Sequence, residues 1–352
     1  MPKAIACIPH NHRIKAHRIE YLKAVNDAMD YPFQSEDGRD PSPTHQELET
    51  TCRSYTGLKH WQFTNCCTDA LQIAFHTLCN AGDTIIIPAY GWRATDNAPK
   101  FVGLNVIYCD IDDTGNVDLE KLNILIDIAK PSAVLIVHNF GTIVNIDRIA
   151  LTCKINNVKI IEDAAPSFVM NEPYKYTLGS LSDAVCFSFD FTKSPGCLGA
   201  GGAIATNKKE VYFKFKTICS HLTSEHGIGT KSYLDTVSAG VLNTDIKLIE
   251  KNNYRQHRVN VATYYINNLP YKTLSGENYI FHRFIILTDK DNKQAVINKF
   301  KSQKILAKSV FKPNTDIFPN TNKFTETAIE LPCHQFIDID DLNSRIKKIR
   351  KI

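Results

Sequence analysis

Two short segments place a carboxylate and an amine directly after apolar runs. In VKIIEDAAPS the apolar run ends in Glu162 and Asp163, and in AVCFSFDFTKSPG another run leads to Lys193. Open α/β sheets bind their ligands at the carboxyl ends of the strands. Asp163 can therefore contact a ligand or cap a helix. Lys193 is either a surface residue or an amine that partial burial keeps near neutral, so that it can attack a carbonyl group.

A glycine-rich segment follows the lysine. Gly196, Gly199, Gly201 and Gly202 permit close approach of the backbone to another group. Because Lys193 precedes these glycines, the segment is not a P-loop, and its spacing does not match G-x-G-x-x-G. The glycines therefore do not indicate a nucleotide-phosphate loop of either common kind.

The segment FTNCCTDALQIAF contains the predicted start of a helix. An apolar pattern of helical period begins near Thr68. Free N–H groups and the helix dipole at such a start favour an anion, above all a phosphate. Small side chains at Cys66 and Cys67 leave those donors accessible, and Thr68 and Ser188 can each add a hydroxyl group. A thiol-redox role for the cysteines is the alternative.

Trp92 lies in PAYGWRATDNA, just after a third apolar run. It either fills the core or offers a flat face on which an aromatic ligand stacks. One ligand accounts for the whole set. It has a phosphate, a stacking ring, a ring nitrogen that needs a carboxylate and an aldehyde that needs a lysine. We therefore predict pyridoxal 5′-phosphate (PLP) as the cofactor.

Composition excludes several other classes of protein. The net charge of +4 is too small to indicate a nucleic-acid surface, and no nucleic-acid-binding motif occurs. The apolar runs are too short to span a bilayer, and the N-terminus does not resemble a signal peptide. The 11 cysteines form no C-x-x-C pair and no two groups of metal ligands, so we predict no metal site. A cytoplasmic protein is expected, with no nucleic-acid or membrane partner.

The elements that must position these residues alternate along the chain. Apolar runs predict strands at 84–88, 104–111, 133–140, 158–163, 184–190 and 202–206. Between them, helical patterns occupy 45–56, 68–80, 117–129 and 145–156. Alternation of this kind predicts a three-layer α/β/α domain with a mostly parallel sheet.

The regular alternation of strands and helices ends at about residue 240. We predict a long helix at 243–269, a strand at 279–287, a helix near 293–303, a loop at 313–322 and a final helix from about 339. These elements predict a smaller C-terminal α+β domain at 243–352, after a large domain at 1–242. The first 20 residues or so can pack away from the large domain.

With these residues in hand, the chain resembles the DegT-like nucleotide-sugar aminotransferases, which are PLP enzymes of fold type I. The resemblance is clearest between residues 45 and 245. It rests on the order and spacing of five motifs: CCTDAL (66–71), PAYGWRATDNA (88–98), EDAA (162–165), FSFDFTK (187–193) and GAGGA (199–203).

The resemblance implies roles for individual residues. Lys193 would form the Schiff base with the cofactor, Asp163 would hold the protonated ring nitrogen, and Trp92 would stack on the ring. The phosphate would be held by Cys67, Thr68 and Ser188, with Asp69 as a further backbone donor. Lys231, from the neighbouring subunit of a homodimer, would complete the phosphate site.

Several positions depart from the family pattern. Cys67 replaces the glycine of the phosphate turn. Pro166 replaces the Gln or His that meets the ring hydroxyl, a role that Ser167 or a water would have to take. Lys231 and Tyr233 replace the Asn and Arg of the G-x-N-x-R segment. These changes bear on substrate contacts rather than on the class of reaction.

The function implied by the resemblance is transamination of a nucleotide-linked keto sugar, with L-glutamate as amino donor. A 4-keto-6-deoxyhexose on dTDP, UDP or GDP is the first choice, and a 3-keto sugar is the alternative. A PLP-dependent sugar dehydratase and a non-catalytic PLP-binding regulator are further alternatives. The presence of Lys193 argues against the dehydratase, whose lysine is typically replaced by histidine. Specificity is expected in the loops at 221–233 and 307–325.

Overall fold

The computed structural model describes residues 4–30, 41–168, 177–220, 229–274 and 279–350. The predicted residues 221–228 of the first specificity loop lie outside these ranges. No helix in the described ranges is long and apolar enough to cross a membrane.

Strands and helices alternate through the first 220 residues. The strands are β1 (His60–Thr64), β2 (Thr84–Pro88), β3 (Asn105–Cys109), β4 (Ala133–Val137), β5 (Lys159–Asp163), β6 (Ala184–Ser188) and β7 (Gly202–Thr206). The helices are α1 (His10–Ala16), α2 (Arg18–Asp30), α3 (Pro43–Thr56), α4 (Cys67–Leu78), α5 (Arg93–Phe101), α6 (Leu119–Ala129), α7 (Asp147–Ile155) and α8 (Lys209–Cys219). Each strand predicted in this region is present, and β1, α1, α2, α5 and α8 were not predicted.

The seven strands form one sheet in the order β1-β7-β6-β5-β4-β2-β3. β7 runs antiparallel to both of its neighbours, and the other pairs are parallel. Successive residues of a strand point to opposite faces of the sheet, so these apolar strands present apolar side chains on both faces, and helices cover both. Ile85 packs with α4 and α8 on one face, whereas Ile86 packs with α6 and α7 on the other. The predicted three-layer, mostly parallel α/β fold is confirmed.

The C-terminal part begins with α9 (Thr236–Lys251), which packs Ala239, Leu242 and Ile246 into the core of the large sheet. A second, smaller layer follows. Its elements are α10 (Tyr254–Asn268), β8 (Lys272–Thr273), β9 (Phe284–Leu287), α11 (Lys293–Ser302), β10 (Lys308–Ser309), α12 (Pro319–Thr327), β11 (Ala328–Leu331) and α13 (Ile339–Arg350). The strands form an antiparallel sheet in the order β10-β11-β9-β8. Its core, which includes Phe284, Phe300 and Leu342, is distinct from that of the large sheet.

Two predictions for this part were wrong. The single helix at 243–269 is two helices, α9 and α10, because the chain turns at Asn253, whose φ of 51° lies in the left-handed region. The predicted loop at 313–322 contains the start of α12, where Pro319 occupies the first turn and its fixed φ suits a helix start. The division at 242/243 stays a prediction, and α9 runs continuously across it.

The N-terminal segment joins the smaller layer rather than the large sheet. Ile5 pairs with Ile305, its N–H donates to the Lys304 carbonyl at 2.8 Å, and its own carbonyl accepts the Leu306 N–H at 2.9 Å. The chain then turns into α1 and α2, and α2 packs along α9. Residues 5–30 therefore link the smaller layer to the large domain.

Candidate active site

The predicted site residues meet at one edge of the large sheet. Asp163 ends β5 and pairs with Cys186 of β6. Ser188, the last residue of β6, pairs with Gly202, where the antiparallel β7 begins. Gly202 also pairs with Thr64, the last residue of β1. The carboxyl ends of three strands and the start of a fourth therefore converge, as the strand-end argument predicted.

Helix α4 starts immediately beyond this edge. Cys66 is its N-cap, with extended backbone, and the Cys66 sulfur accepts the Asp69 N–H at 3.5 Å. Helix geometry leaves the N–H groups of Cys67 and Thr68 without intrahelical acceptors. These donors and the helix dipole form an anion site of the predicted kind. The capping role of Cys66 was not predicted, because cysteine is not a usual N-cap residue.

Gly202 provides the space for this turn. A Cβ at position 202 would stand 2.3 Å from the carbonyl carbon of Cys66 and 2.5 Å from the nitrogen of Cys67. Only glycine allows β7 to pass this close to the start of α4. Gly202, in the glycine-rich segment after Lys193, thus borders the turn at Cys66 and Cys67 on the side of β7.

Asp69 holds a second segment against the turn. Its Oδ2 accepts the Ser232 hydroxyl at 2.8 Å, and Ser232 Oγ accepts the Asn65 N–H at 3.2 Å. The Asn65 side chain donates to the Lys231 carbonyl at 3.2 Å. The N–H of Asp69, predicted as a phosphate donor, faces the Cys66 sulfur, and its carboxylate anchors residues 231–232.

The Asp163 carboxylate is buried at the centre of the site. Its Oδ1 accepts the Ala165 N–H at 3.0 Å and lies 3.9 Å from the Cys67 sulfur. Burial raises the pKa of the Asp163 carboxyl, because the ionised form loses its hydration. A cationic ring nitrogen bound at Oδ2 would favour the ionised form again. Burial also raises the pKa of the Cys67 thiol well above its usual value, which disfavours the thiol-redox alternative.

Lys193 lies in a tight turn beside this carboxylate. Its N–H donates to the Asp190 carbonyl at 2.8 Å, and the Asp190 side chain accepts both the N–H and the hydroxyl of Thr192. Burial lowers the pKa of the Lys193 amine, and the positive charge of Arg283 lowers it further. Asp163 acts in the opposite direction but does not outweigh burial. The neutral amine is the form that attacks an aldehyde, and a lowered pKa makes that form more accessible.

Behind Asp163 lies a buried pair that sequence analysis missed. The Val144 N–H donates to Nδ1 of His138 at 3.1 Å, so the imidazole proton belongs on Nε2. That nitrogen donates to Glu162 Oε2 at 2.8 Å, and the Gly179 N–H donates to Oε1 of the same carboxylate at 2.8 Å. Glu162 and Asp163 lie on opposite faces of the sheet, because successive side chains alternate along β5, and Asp163 is on the face next to Cys67.

The remaining predicted residues lie around the rim. Trp92 is 56% exposed, and its ring meets that of Phe311 edge-on at 4.7 Å, so a broad face stays open. Ser167, suggested as a substitute for the side chain missing at Pro166, is fully buried and donates its hydroxyl to the His138 carbonyl at 3.2 Å. In the structure, the Ser167 hydroxyl therefore binds the backbone rather than replacing the side chain missing at Pro166.

The backbone of Lys231 lies against the phosphate turn of its own chain, but its side chain does not make a hydrogen bond there among the described residues. That side chain is exposed, and its amine lies 5.5 Å from the centre of the Tyr233 ring. The other predicted residues do converge: Asp163, Lys193, Cys67 and Ser188 share the sheet edge with Thr68 and Asp69 of α4.

The donor set fits PLP on three independent features. A helix start bounded by Gly202 suits the phosphate, the buried Asp163 carboxylate suits a protonated ring nitrogen, and the Lys193 amine suits the aldehyde. Among the described residues, no group of three or more His, Cys, Asp or Glu could hold a metal ion.

Solved structures share this architecture along the whole chain. An aminotransferase from Brucella abortus superposes with a TM-score of 0.86 at 22% identity, over 98% of both chains. NtdA from Bacillus subtilis, solved with bound PMP, superposes with a TM-score of 0.85 at 20% identity, over 100% of this chain and 86% of that one. At these identities, the likeness establishes the fold.

A match to a family model defines the class further. The DegT/DnrJ/EryC1/StrS aminotransferase family matches residues 20–350, and the chain belongs to that family. The aminotransferases of this family are PLP-dependent, so the predicted cofactor and enzyme class are confirmed.

Curated relatives carry different sugar names. A Pseudomonas aeruginosa UDP-2-acetamido-2-deoxy-3-oxo-D-glucuronate aminotransferase is 32% identical over 59% of this chain and 59% of its own length. A Campylobacter jejuni UDP-4-amino-4,6-dideoxy-N-acetyl-beta-L-altrosamine transaminase is 25% identical over 87% of this chain and 90% of its own. A Geobacillus stearothermophilus pleiotropic regulatory protein is 28% identical over 72% of both chains.

Proposed function

We propose that this chain transfers the amino group of L-glutamate to a nucleotide-linked keto-deoxyhexose. One observation carries the proposal. The buried Asp163 carboxylate, the Lys193 amine with its lowered pKa and the open start of α4 share one sheet edge. When bound there, PLP supplies an electron sink that stabilises negative charge on the substrate carbon.

The chain's own residues hold and orient this system. Asp163 keeps a proton on the ring nitrogen through a charge-assisted hydrogen bond. The N–H groups of Cys67 and Thr68, with the Ser188 hydroxyl, would bind the phosphate. The open face of Trp92 would stack on the ring.

Lys193 is the residue placed to move the proton. Its amine would take a proton from the Cα of the amino donor, while the bound cofactor would supply the electron sink for the charge left on that carbon. The same amine would return a proton to the sugar carbon in the second half of the reaction. Its lowered pKa suits this work, because a general base is most effective when its pKa lies near the working pH.

The sugar is proposed to be a 4-keto-6-deoxyhexose on dTDP, UDP or GDP, with a 3-keto sugar as the alternative. The name of the Campylobacter jejuni relative, which aligns over most of the chain, favours a 4-amino-4,6-dideoxy product. The more identical Pseudomonas aeruginosa relative, which aligns over 59% of the chain, carries a 3-oxo name.

We also propose that the enzyme acts as a homodimer with each site completed by the second subunit. A groove of about 850 Å³ runs along α4, lined by Ile73, His76 and Phe101 and reaching Thr230, next to Lys231. Phe101 is 78% exposed in the single chain. A second copy covering this groove would lie beside the phosphate turn, where its Lys231 could meet the phosphate.

The deciding experiment uses a panel of nucleotide-linked 3-keto and 4-keto sugars with L-glutamate labelled with heavy nitrogen. Mass spectrometry of the products would show the labelled amino group on the sugar, and fragmentation would give its ring position. Loss of a hydroxyl without uptake of label would instead indicate the dehydratase.

A regulator without turnover is the second candidate, since one relative is named a regulatory protein. That candidate predicts that the purified protein keeps its bound cofactor spectrum unchanged when glutamate is added. Transamination predicts that the absorption of the lysine-bound form disappears with glutamate and returns with the keto sugar.

A further inference from the structure

The turn that carries Lys193 is held from below by an arginine of the N-terminal segment. Arg13 is 2% exposed. Its guanidinium donates to three backbone carbonyls of the turn, those of Lys193 at 3.0 Å, Phe191 at 3.2 Å and Cys197 at 2.9 Å. With a fourth bond, to Asp245, Arg13 uses four N–H donors, which a guanidinium has and an ammonium group, with three, does not.

A buried carboxylate of α9 completes the arrangement. Asp245 Oδ2 accepts from Arg13 Nη1 at 3.0 Å and from the Gly196 N–H at 2.9 Å, and its Oδ1 accepts the Tyr21 hydroxyl. Both side chains of the ion pair are 3% exposed. Asp245 therefore neutralises Arg13 and also binds the lysine turn directly.

The turn is shaped to fit this pair. A Cβ at Gly196 would stand 2.9 Å from Arg13 Nη1 and 2.6 Å from the Asp190 carbonyl oxygen. Glycine at 196 lets the backbone close over the guanidinium. The contacts of Arg13, Asp245 and Gly196 thus fix residues 191–197 as a unit.

The same N-terminal segment contacts the smaller layer on the other side of Lys193. The Cys7 carbonyl accepts from Arg283 Nη1 at 2.9 Å, and the Ala6 carbonyl faces Nε2 of His334 at 3.0 Å. Arg283 is the cation that acts on the Lys193 amine. Residues 5–13 therefore touch both the backbone of the lysine turn and the charged group that faces its side chain.

We propose that Arg13 is a positioning residue which, with Asp245, sets where the Lys193 amine lies relative to Asp163 and Cys67. Arg13 contacts the backbone of the lysine and reaches the reacting atoms only through it. The inference rests on the proposed function, since it assigns to Arg13 the placing of the amine that carries the cofactor.

The test compares the PLP-loaded wild type with Arg13→Met, Arg13→Lys and Asp245→Asn. Arg148→Met is the matched control, because Arg148 makes an ion pair with Glu120 on the surface. Two readouts are independent of turnover. They are the pH midpoint of the absorption band of the lysine-bound cofactor and the rate at which borohydride fixes the cofactor to Lys193.

We expect Arg13→Met to shift that midpoint and to slow fixation. We expect its glutamate half-reaction to slow about 10- to 100-fold, the scale of misplacement by about 1 Å. Arg13→Lys keeps the charge near Asp245, but its three N–H donors cannot replace the four hydrogen bonds of the guanidinium, so the same changes should appear in a folded protein. Arg148→Met should match the wild type.

Arg13 variants that fold and keep the wild-type midpoint, fixation rate and half-reaction would overturn the inference. If Arg13→Met does not fold, Arg13→Lys and Asp245→Asn decide by the same readouts. Failure of the proposed function looks different, because the wild type itself would then show no cofactor fixed to Lys193.

Discussion

Gly202 lies directly against the peptide bond that follows Cys66. A Cβ at 202 would approach the Cys66 carbonyl carbon to 2.3 Å, well inside van der Waals contact. Since Gly202 also pairs with both Thr64 and Ser188, the backbone cannot move aside without disturbing two strands. The spacing between β7 and the phosphate turn therefore depends on residue 202 having no side chain.

Gly202→Ala should destabilise the protein by about 1–3 kcal/mol through overpacking and should weaken PLP binding. Thermal unfolding and cofactor titration measure the two effects. The matched control is Gly199→Ala, because a Cβ at Gly199 meets nothing within 4 Å. Equal affinity for PLP in the two variants would show that the turn does not form the phosphate site.

Lys193→Met should stabilise the cofactor-free protein at neutral pH. Burial lowers the pKa of Lys193 below 10.5. A charged amine at this position therefore costs free energy in the folded chain that it does not cost in the unfolded chain. At pH values between the lowered pKa and 10.5, the amine is protonated in the unfolded chain but largely neutral in the folded one. The free energy of unfolding of the wild type therefore rises with pH over this range. The advantage of Lys193→Met should therefore shrink as pH approaches 10.5.

Denaturant unfolding at several pH values checks this dependence. Lys216→Met on the exposed face of α8 serves as the control, and its difference from wild type should not change over the same range. A constant difference for Lys193→Met would mean that the amine is solvated in the folded protein.

Asp163→Asn should retain the cofactor but reduce turnover by about 10²–10³-fold, because a neutral amide cannot hold the proton on the ring nitrogen. Without PLP the same variant should be more stable than wild type at neutral pH. Burial raises the pKa of Asp163 above 3.8, so ionisation costs stability as pH rises through that range, and the difference should vanish below about pH 3.8. Near-normal turnover in Asp163→Asn would refute the assigned role.

Mixing two inactive variants tests whether subunits share a site. If Lys231 acts across the interface, a mixed dimer of Lys193→Ala and Lys231→Glu has both changes in the same site, and its other site is intact. An equimolar mixture of the two should then regain about a quarter of wild-type activity, since half of the dimers are mixed and each has one good site. Lys193→Ala mixed with Asp163→Asn is the control, because these residues share one chain's site and no activity should return. Equal results for both mixtures would exclude a shared site.

The sequence predicted the parts of the fold that repeat a simple pattern. Buried strands such as Ala133–Val137 are apolar throughout, so their place was found to within a few residues. Helix α8 was missed because Val211, Phe213 and Phe215 alternate with polar residues as a strand would, although the helix buries only the first and last of these. The strand-end argument predicted that Asp163 and Ser188 lie at one edge, whereas the place of Lys193 stayed open until the family resemblance implied it.

Long-range polar contacts could not be predicted in the same way. Arg13 and Asp245 are 232 positions apart, and neither stands in a motif that indicates its partner. His138 follows β4 and Glu162 lies in the neighbouring β5, but which of Glu162 and Asp163 faces His138 and which faces the ligand depends on the register. The sequence thus indicated the residues that meet the ligand, and the structure adds those that hold them in place.

The most direct test of the account is to reduce the PLP-loaded protein with borohydride, digest it and locate the modified peptide by mass spectrometry. We predict that the pyridoxyl phosphate is attached to Lys193, that added glutamate before reduction prevents this attachment, and that Asp163→Asn keeps it. Attachment to a different lysine, or no attachment to a folded protein saturated with PLP, would contradict the account.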